Sequence, residues 1–353
     1  MLSNISTPTV LLPEDLDQYL SKGWFRMGQS IFTTNFLHFN KTIYSALWLR
    51  YRLFDFNLSP KQQKLSKQNS RFRIEISKLN VTEEKEALYA NYKSGITFET
   101  SGSLEMLLAL NKPNIFNSQE ICLFDDDKLI GMGVFDLGQN AAQGIVSFYD
   151  PSYKKYSLGK YLILQKVIHA KAAGLTYFYP GYYAPGYPSF DYKLDLAKEL
   201  TEYYDTIYDV WLNVSEASQV VELHKVMYQN LLSLSELMLD FGIPHVFWTY
   251  DFFDINMVSN FNGQGLFDSP FFIELFQNSM GQVGVIYYDL IKGAFGLMVC
   301  NKYYQINELT EVEGHYNRYI LRPHKVIFME PSVDGFMDIL FGILEKNRTN
   351  NKI

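Results

Sequence analysis

GIVSFYDPSYKKYSLGKYLILQKVIHAKAAGLTYFYPGYYAPGYPSFDYK, residues 144–193, is the stretch that decides the fold. Ile145 to Tyr149 is a short β-rich run stopped by Asp150-Pro151, because proline has no N–H to give a ladder and Asp-Pro favours a turn. Ser157 stands where a helix cap belongs. Leu158, Tyr161, Leu162, Ile168 and Ala172 then recur at helical spacing, and Gly174 suits the left-handed position past a helix end. Leu175 to Tyr179 is a second strand. The strand, loop, helix, strand unit delivers Lys154, Lys155, Ser157, Gly159 and Lys160 to a helix N-terminus, where free backbone N–H groups and the helix dipole attract phosphate. The spacing is equally compatible with an ordinary turn whose lysines are simply solvated.

Upstream, Glu120 to Phe124 and Lys128 to Leu137 predict a hairpin around Asp125-Asp126-Asp127, a run better read as a turn than as a metal site. Before it, Thr82 to Tyr92 and Ser103 to Leu110 predict two helices. Helices, an antiparallel meander and a strand-helix-strand unit make an α+β order, that of a GNAT-type acyltransferase core. Trp48-Leu49-Arg50-Tyr51-Arg52-Leu53 alternates as a strand with Arg50 and Arg52 on one face, and Ile31 to Phe39 and Thr42 to Phe56 predict a small antiparallel sheet. Ser59-Pro60 opens a basic, amide-rich helix. Downstream, Ser215 to Asp240 carries an apolar stripe including Val220, Met227, Leu231, Leu234 and Met238. Three strands follow over 283–309, with turns at Lys292-Gly293 and Asn301-Lys302, before a closing helix from Val333. The expected segments are a small basic N-terminal α/β subdomain over 1–80, an acyltransferase-like core over 81–200 and an α+β extension over 201–353.

With 353 residues, 47% apolar and 20% charged, the composition is that of a soluble globular chain, without a leader-like or membrane-spanning stretch. A cytoplasmic location is expected, with Cys122 and Cys300 as buried thiols. The net charge of −7 argues against general nucleic-acid binding, yet residues 41–78 hold nine basic residues against two acidic ones. That local +7 leaves −14 for the remainder, a footprint suited to steering one polyanion to one place. Six histidines without a partner at metal-ligand spacing argue against a dedicated zinc site, and the lack of GxSxG, HExxH or Walker sequences leaves hydrolase, kinase and dehydrogenase readings with little support. Gly131-Met132-Gly133 fits strand packing better than nucleotide binding.

Four places between Gly23 and Lys193 resemble the arginyl- and leucyl-tRNA protein transferases. They are Gly23-Trp24-Phe25-Arg26; Ser59 to Lys64 with Gln62; Phe148-Tyr149-Asp150-Pro151 with Ser157-Leu158-Gly159; and Gly181-Tyr182-Tyr183 with Tyr192-Lys193. The family's cysteine cluster has no counterpart near Thr33 to Tyr44, and Ser189 and Phe190 replace a lysine and a methionine usual in the family. The resemblance implies a GNAT-like catalytic half and transfer of an amino acid, arginine or leucine, from aminoacyl-tRNA to the N-terminal amine of an acceptor protein with an acidic first residue.

The site residues it implies are Tyr149 and Asp150 for positioning and proton removal, Tyr192 with Tyr182 and Tyr183 as walls for the terminal adenine or the aminoacyl group, and Lys193 for an acceptor carboxylate. Lys154, Lys155, Ser157, Gly159 and Lys160 would hold the terminal phosphates, and Arg50, Arg52, Lys61, Gln62, Lys64 and Lys67 the tRNA backbone. Trp24, Arg26, Tyr182 and Tyr183 would form pocket walls. No metal and no cofactor beyond the aminoacyl-tRNA co-substrate are implied. Two other readings stay open at this point: an N-acyltransferase using acetyl coenzyme A or another acyl thioester, and an inert binding protein derived from the same fold.

Overall fold

The computed structural model describes residues 2–96, 100–215, 221–306 and 312–350. Contacts divide the chain into two compact units, one of Ser6–Thr33 and Ala46–Val220, the other of Met1–Ile5, Thr34–Ser45 and Val221–Ile353.

The first unit is built on an eight-stranded sheet. Its order is Val210–Asn213, Thr201–Asp205, Leu47–Arg52, Tyr177–Tyr183, Ala141–Tyr149, Lys128–Leu137, Ser118–Asp125 and Arg73–Lys78. Every neighbouring pair is antiparallel except Ala141–Tyr149 with Tyr177–Tyr183, the two strands joined through the helix Leu158–Ala172. A parallel pair needs such a crossover. The middle strand Lys128–Leu137 is buried from Leu129 to Asp136, as a strand covered on both faces must be. On one face Leu158, Tyr161 and Leu162 of the crossover helix pack on Ile121, Leu123, Ile130 and Phe135. On the other, the helices Glu83–Ser94 and Leu104–Leu108 set Leu88, Tyr89, Leu104 and Leu108 against Met132, Val134 and Phe148. The order strand, two helices, three-stranded meander, helix, strand is the α+β, GNAT-like core expected. The aspartate run is the hairpin turn, with Asp126 at φ +51° and Asp125 opposite Lys128.

The structure corrects several expectations. The small antiparallel sheet expected over 31–56 forms only in part: Phe36–Phe39 and Thr42–Ser45 make a two-stranded antiparallel sheet, Ser30–Thr34 pairs with Phe25–Met27, and Leu47–Arg52 leaves them for the large sheet between Tyr177–Tyr183 and Thr201–Asp205. The reason is burial, because Leu47, Trp48, Leu49 and Tyr51 are all enclosed and need covered faces on both sides. Thr201–Asp205 likewise extends the large sheet. In the crossover helix Ala172 is exposed, whereas Leu164, Lys166, Val167 and Ala170 join the buried set.

The second unit has a six-stranded sheet in the order His315–Tyr316, Val246–Tyr250, Phe271–Gln277, Val283–Asp289, Ala294–Gln305 and Tyr319–Glu330. The helix Leu223–Asp240 packs on it with Met227, Leu231, Leu234 and Met238 buried as expected; Val220 lies outside the described residues. The turn expected at Asn301-Lys302 is absent. Ala294–Gln305 runs through it as one strand: Asn301 and Lys302 pair with Arg322 and Leu321 of Tyr319–Glu330, and the register shifts only after them, between Lys302 and Tyr304. The remainder of that expected strand, to Leu309, lies outside the described residues. Cys122 and Cys300 are free and buried, and burial pushes their thiols up to about 11 and about 12.

Candidate active site

The parallel ladder registers only three pairs, Ala141 with Tyr177, Ala142 with Phe178 and Gln143 with Tyr179. Past them, each strand pairs with its outer neighbour. Ala141–Tyr149 shifts register by a bulge between Gly144 and Val146, and Tyr177–Tyr183 shifts between Phe178 and Gly181. The divergence opens a cleft of about 800 Å³. Gly181, at φ +88°, is where the second strand turns aside, a conformation that disfavours any side chain.

Of the residues singled out in the sequence, Tyr149, Lys154, Ser157, Gly159, Lys160, Arg26, Tyr182, Tyr192 and Lys193 border this cleft. Ser157 stands at the helix start in the left-handed region at φ 52° and its side chain makes no capping bond. The first N–H groups of Leu158–Ala172 have no partner within their own helix. Gly159 leaves little room for a side chain, since a Cβ would sit 3.3 Å from the Tyr149 ring. At the opposite wall Lys193 donates from Nζ to the Tyr182 carbonyl at 2.6 Å and lies over the Phe190 and Tyr182 rings, while its own carbonyl accepts from the Tyr51 hydroxyl. Burial pushes the Lys193 amine down to about 7 and the Tyr192 phenol up to about 12.

Asp150 is not among the cleft residues. Its carboxylate caps the turn Pro151–Tyr156, accepting from the Ser152 N–H and hydroxyl at 3.0 and 2.7 Å, and pairs with Lys128 at 2.7 Å. Burial alone would raise it, but Lys128 and Ser152 outweigh that and hold it below the usual carboxylate range. Asp150 therefore shapes the lysine loop and is poorly suited to accepting a proton. Lys155 leans over the Tyr156 ring outside the cleft. Trp24 stacks edge-on against Tyr19 beside a separate hollow, and Tyr183 packs with Leu47, Leu49 and Tyr203. Arg26 borders the cleft with a spent charge: its side chain, 1% exposed, pairs with Asp136 at 2.8 Å and also donates to Ser118 and the Gly28 carbonyl.

Arg50 and Arg52 do share a face, but both point at Glu202, at 2.6 and 3.7 Å, and Arg50 is held between the Tyr177 and Trp211 rings. Arg50, so enclosed, is not offered to phosphate, whereas the Arg52 side chain stays 43% exposed. Gln62 completes a capping box with Ser59 and donates to the Leu196 carbonyl, so its amide is structural as well. Lys61, Lys64 and Lys67 are exposed on the helix Pro60–Asn69. The C-terminal end of that helix is tied to the lysine loop, through Asn69 to the Tyr156 carbonyl and Gln68 to the Lys155 carbonyl.

A titratable residue that borders the cleft and was not singled out is Lys166. Lys166, 2% exposed, reaches beneath the bulge and donates to the Val134 and Val146 carbonyls at 3.2 and 2.9 Å. Its place between Leu162 and Ala170 at intervals of four was the available signal.

Comparison with known proteins places this geometry. A family model described as arginine-tRNA-protein transferase, C terminus, matches residues 84–201. An aspartate/glutamate leucyltransferase of Leptospira interrogans is 32% identical over 192 residues, covering 53% of this chain and 73% of that protein. The chain belongs to the aminoacyl-tRNA protein transferase family. Another relative of this transferase, an aspartate/glutamate leucyltransferase of Campylobacter jejuni, is 25% identical over 194 residues, 52% of this chain and 78% of that one. The ribosomal-protein-S18-alanine N-acetyltransferase of Escherichia coli overlaps 29% of the transferase and 63% of its own chain, at 19% identity and a TM-score of 0.23. The residues shared with the family model include the whole lysine loop, the crossover helix and both walls of the cleft.

Proposed function

We propose that the chain moves a leucyl group from leucyl-tRNA to the N-terminal amine of a protein beginning with aspartate or glutamate. The observation that carries this reading is the cleft lining. Phe32, Ile145, Val146, Ile163 and Phe178 give it apolar walls, and among the described residues no Asp or Glu side chain borders it. Such walls suit a leucyl side chain, whereas an arginyl side chain would bury its charge without a carboxylate. The names of the curated relatives support the same choice.

Lys154, Ser157, Gly159 and Lys160 would receive the terminal phosphates at the helix start, with Lys61, Lys64 and Lys67 along the tRNA backbone. Tyr182 and Tyr192 would wall the acceptor side and Lys193 would meet an acidic first residue. The chemistry asks little of the protein, because the ester is already activated and an α-amine of pKa about 7.7 to 8.0 is substantially neutral at pH 7. Alignment of amine and ester supplies most of what remains, up to about 7 to 11 kcal/mol.

The deciding experiment incubates the chain with leucyl- or arginyl-tRNA and peptides beginning Asp, Glu or Ala. Leucine should appear on the Asp and Glu peptides only. Transfer to none of them, with a thermal shift on adding acetyl coenzyme A, would overturn the reading in favour of a thioester-dependent acyltransferase.

A further inference from the structure

Lys166 lies on the face of Leu158–Ala172 turned to the sheet, where a lysine is the costliest residue to bury unpaired. Room for its amine is made by glycines. A Cβ on Gly133 would come within 3.2 Å of Lys166 Cε, and one on Gly144 would sit 3.8 Å from Nζ and collide with the Phe178 ring at 2.9 Å. Among the described residues Lys166 forms no ion pair. The carboxylate it feels, Asp136 of strand Lys128–Leu137, is already held by Arg26, Ser118 and Gln143. Two backbone carbonyls take two hydrogens from Nζ. A neutral amine is fully used by that pattern except for its lone pair, and Lys166 is one of the residues that line the cleft.

The geometry points to Lys166 as the group that takes the proton from the attacking α-amine and returns it to the departing ribose oxygen, given the transfer reaction proposed above. The amine nitrogen bonds to the ester carbonyl carbon while one of its protons passes to Lys166 Nζ. As the bond from carbonyl carbon to ribose oxygen breaks, that proton goes to the oxygen. Lys166 ends neutral, and the products are the amide and the free tRNA hydroxyl, with no other reagent consumed. Burial pushes the amine down to about 7, a value at which one group both takes and gives a proton near neutral pH. The other titratable groups bordering the same cleft are Tyr149 from the bulged strand, Tyr182 from its diverging neighbour, Tyr92 from the helix Glu83–Ser94, Tyr192 and Lys193 from the helix Tyr192–Ala197, Lys154 from the loop and Lys160 from its own helix. Asp136 and Arg26 face it from the far side as a closed pair.

Single-turnover transfer from leucyl-tRNA to an Asp-initiated peptide tests the assignment with wild type, Lys166→Met, Lys166→Arg and Lys166→Ala. Lys166→Met should lose about 100-fold or more in rate, the order expected for proton transfer, together with the pH-rate limb near 7 and without loss of tRNA binding. Lys166→Arg should not restore the rate, since guanidinium cannot give up its proton, whereas ethylamine should restore peptide product to Lys166→Ala. A folded Lys166→Met that keeps the rate within threefold and the same pH profile overturns the assignment and leaves the transfer reading standing. Should the variants fail to fold, NMR titration of the lysine amines in wild type decides: Lys166 still charged at pH 9 overturns it. A wild-type chain silent with every aminoacyl-tRNA overturns the transfer reading itself and this assignment with it.

Discussion

Lys166 and Lys193 are buried amines that meet carbonyls and rings instead of carboxylates, and that arrangement leaves a mark on stability. Each titrates at about 7 in the folded chain against about 10.4 when unfolded. Between these values the unfolded chain binds more protons, so stability rises with pH, by up to about 1.4 kcal/mol per unit for each amine. The window runs from pH 7 to about 8.5, above which the unfolded thiols of Cys122 and Cys300 ionise first and the sign reverses for them. Urea unfolding should therefore give a free energy that climbs over that window, and Lys166→Met should flatten the climb by about half. A profile that is level or falling in the wild type would exclude neutral buried amines. Neither shift was legible in the sequence, where a lysine inside an amphipathic helix is read as solvated. Asp150 misled for the related reason that a carboxylate next to a lysine loop looks reactive until its cap and its Lys128 partner are seen.

At the scale of elements, the crossover helix, the aspartate hairpin and the two covering helices follow from local period and turn chemistry, and the structure reproduces them. What local pattern does not encode is which strands meet. Leu47–Arg52 has the alternation of any half-buried strand, and only the chain's other strands determine that it lies between Tyr177–Tyr183 and Thr201–Asp205. Its pairing with Glu202 is also what takes Arg50 out of the expected phosphate surface, while Arg52 stays partly exposed. The helix Pro60–Asn69 is left as the basic element facing outward. Replacing Lys61, Lys64 and Lys67 together with alanine should weaken tRNA binding and make the plot of log affinity against log salt shallower by about 2, since each phosphate that a lysine neutralises adds about 0.7 to 0.9 to that slope. Thermal melting should stay nearly constant, since all three are exposed. Binding that keeps its affinity and its salt slope would remove this helix from the tRNA surface.

For the whole molecule, the match to the family model over 84–201 does not delimit a piece that folds alone. A fragment of residues 81–200 would lack Leu47–Arg52 beside Tyr177–Tyr183, the Tyr51 hydroxyl that bonds the Lys193 carbonyl, and Arg26 against the fully buried Asp136. Removing one partner of a buried ion pair costs about 3 to 5 kcal/mol by itself, a large part of any domain's stability. The fragment is expected to give a broad, non-cooperative unfolding curve, where residues 6–220 give a sharp one; a cooperative transition in the fragment would refute that. The cleft itself bears on which proteins this chain can act upon. At about 800 Å³ it has the capacity of a small-ligand pocket, and a tRNA end must share it. On the transfer reading, an acceptor can enter only by the free tip of its chain, drawn out from its own fold. Candidates are then sorted by how loosely their first few residues are tethered before any side chain is inspected, and a protein whose amino terminus is stitched into a sheet stays out of reach whatever its first residue.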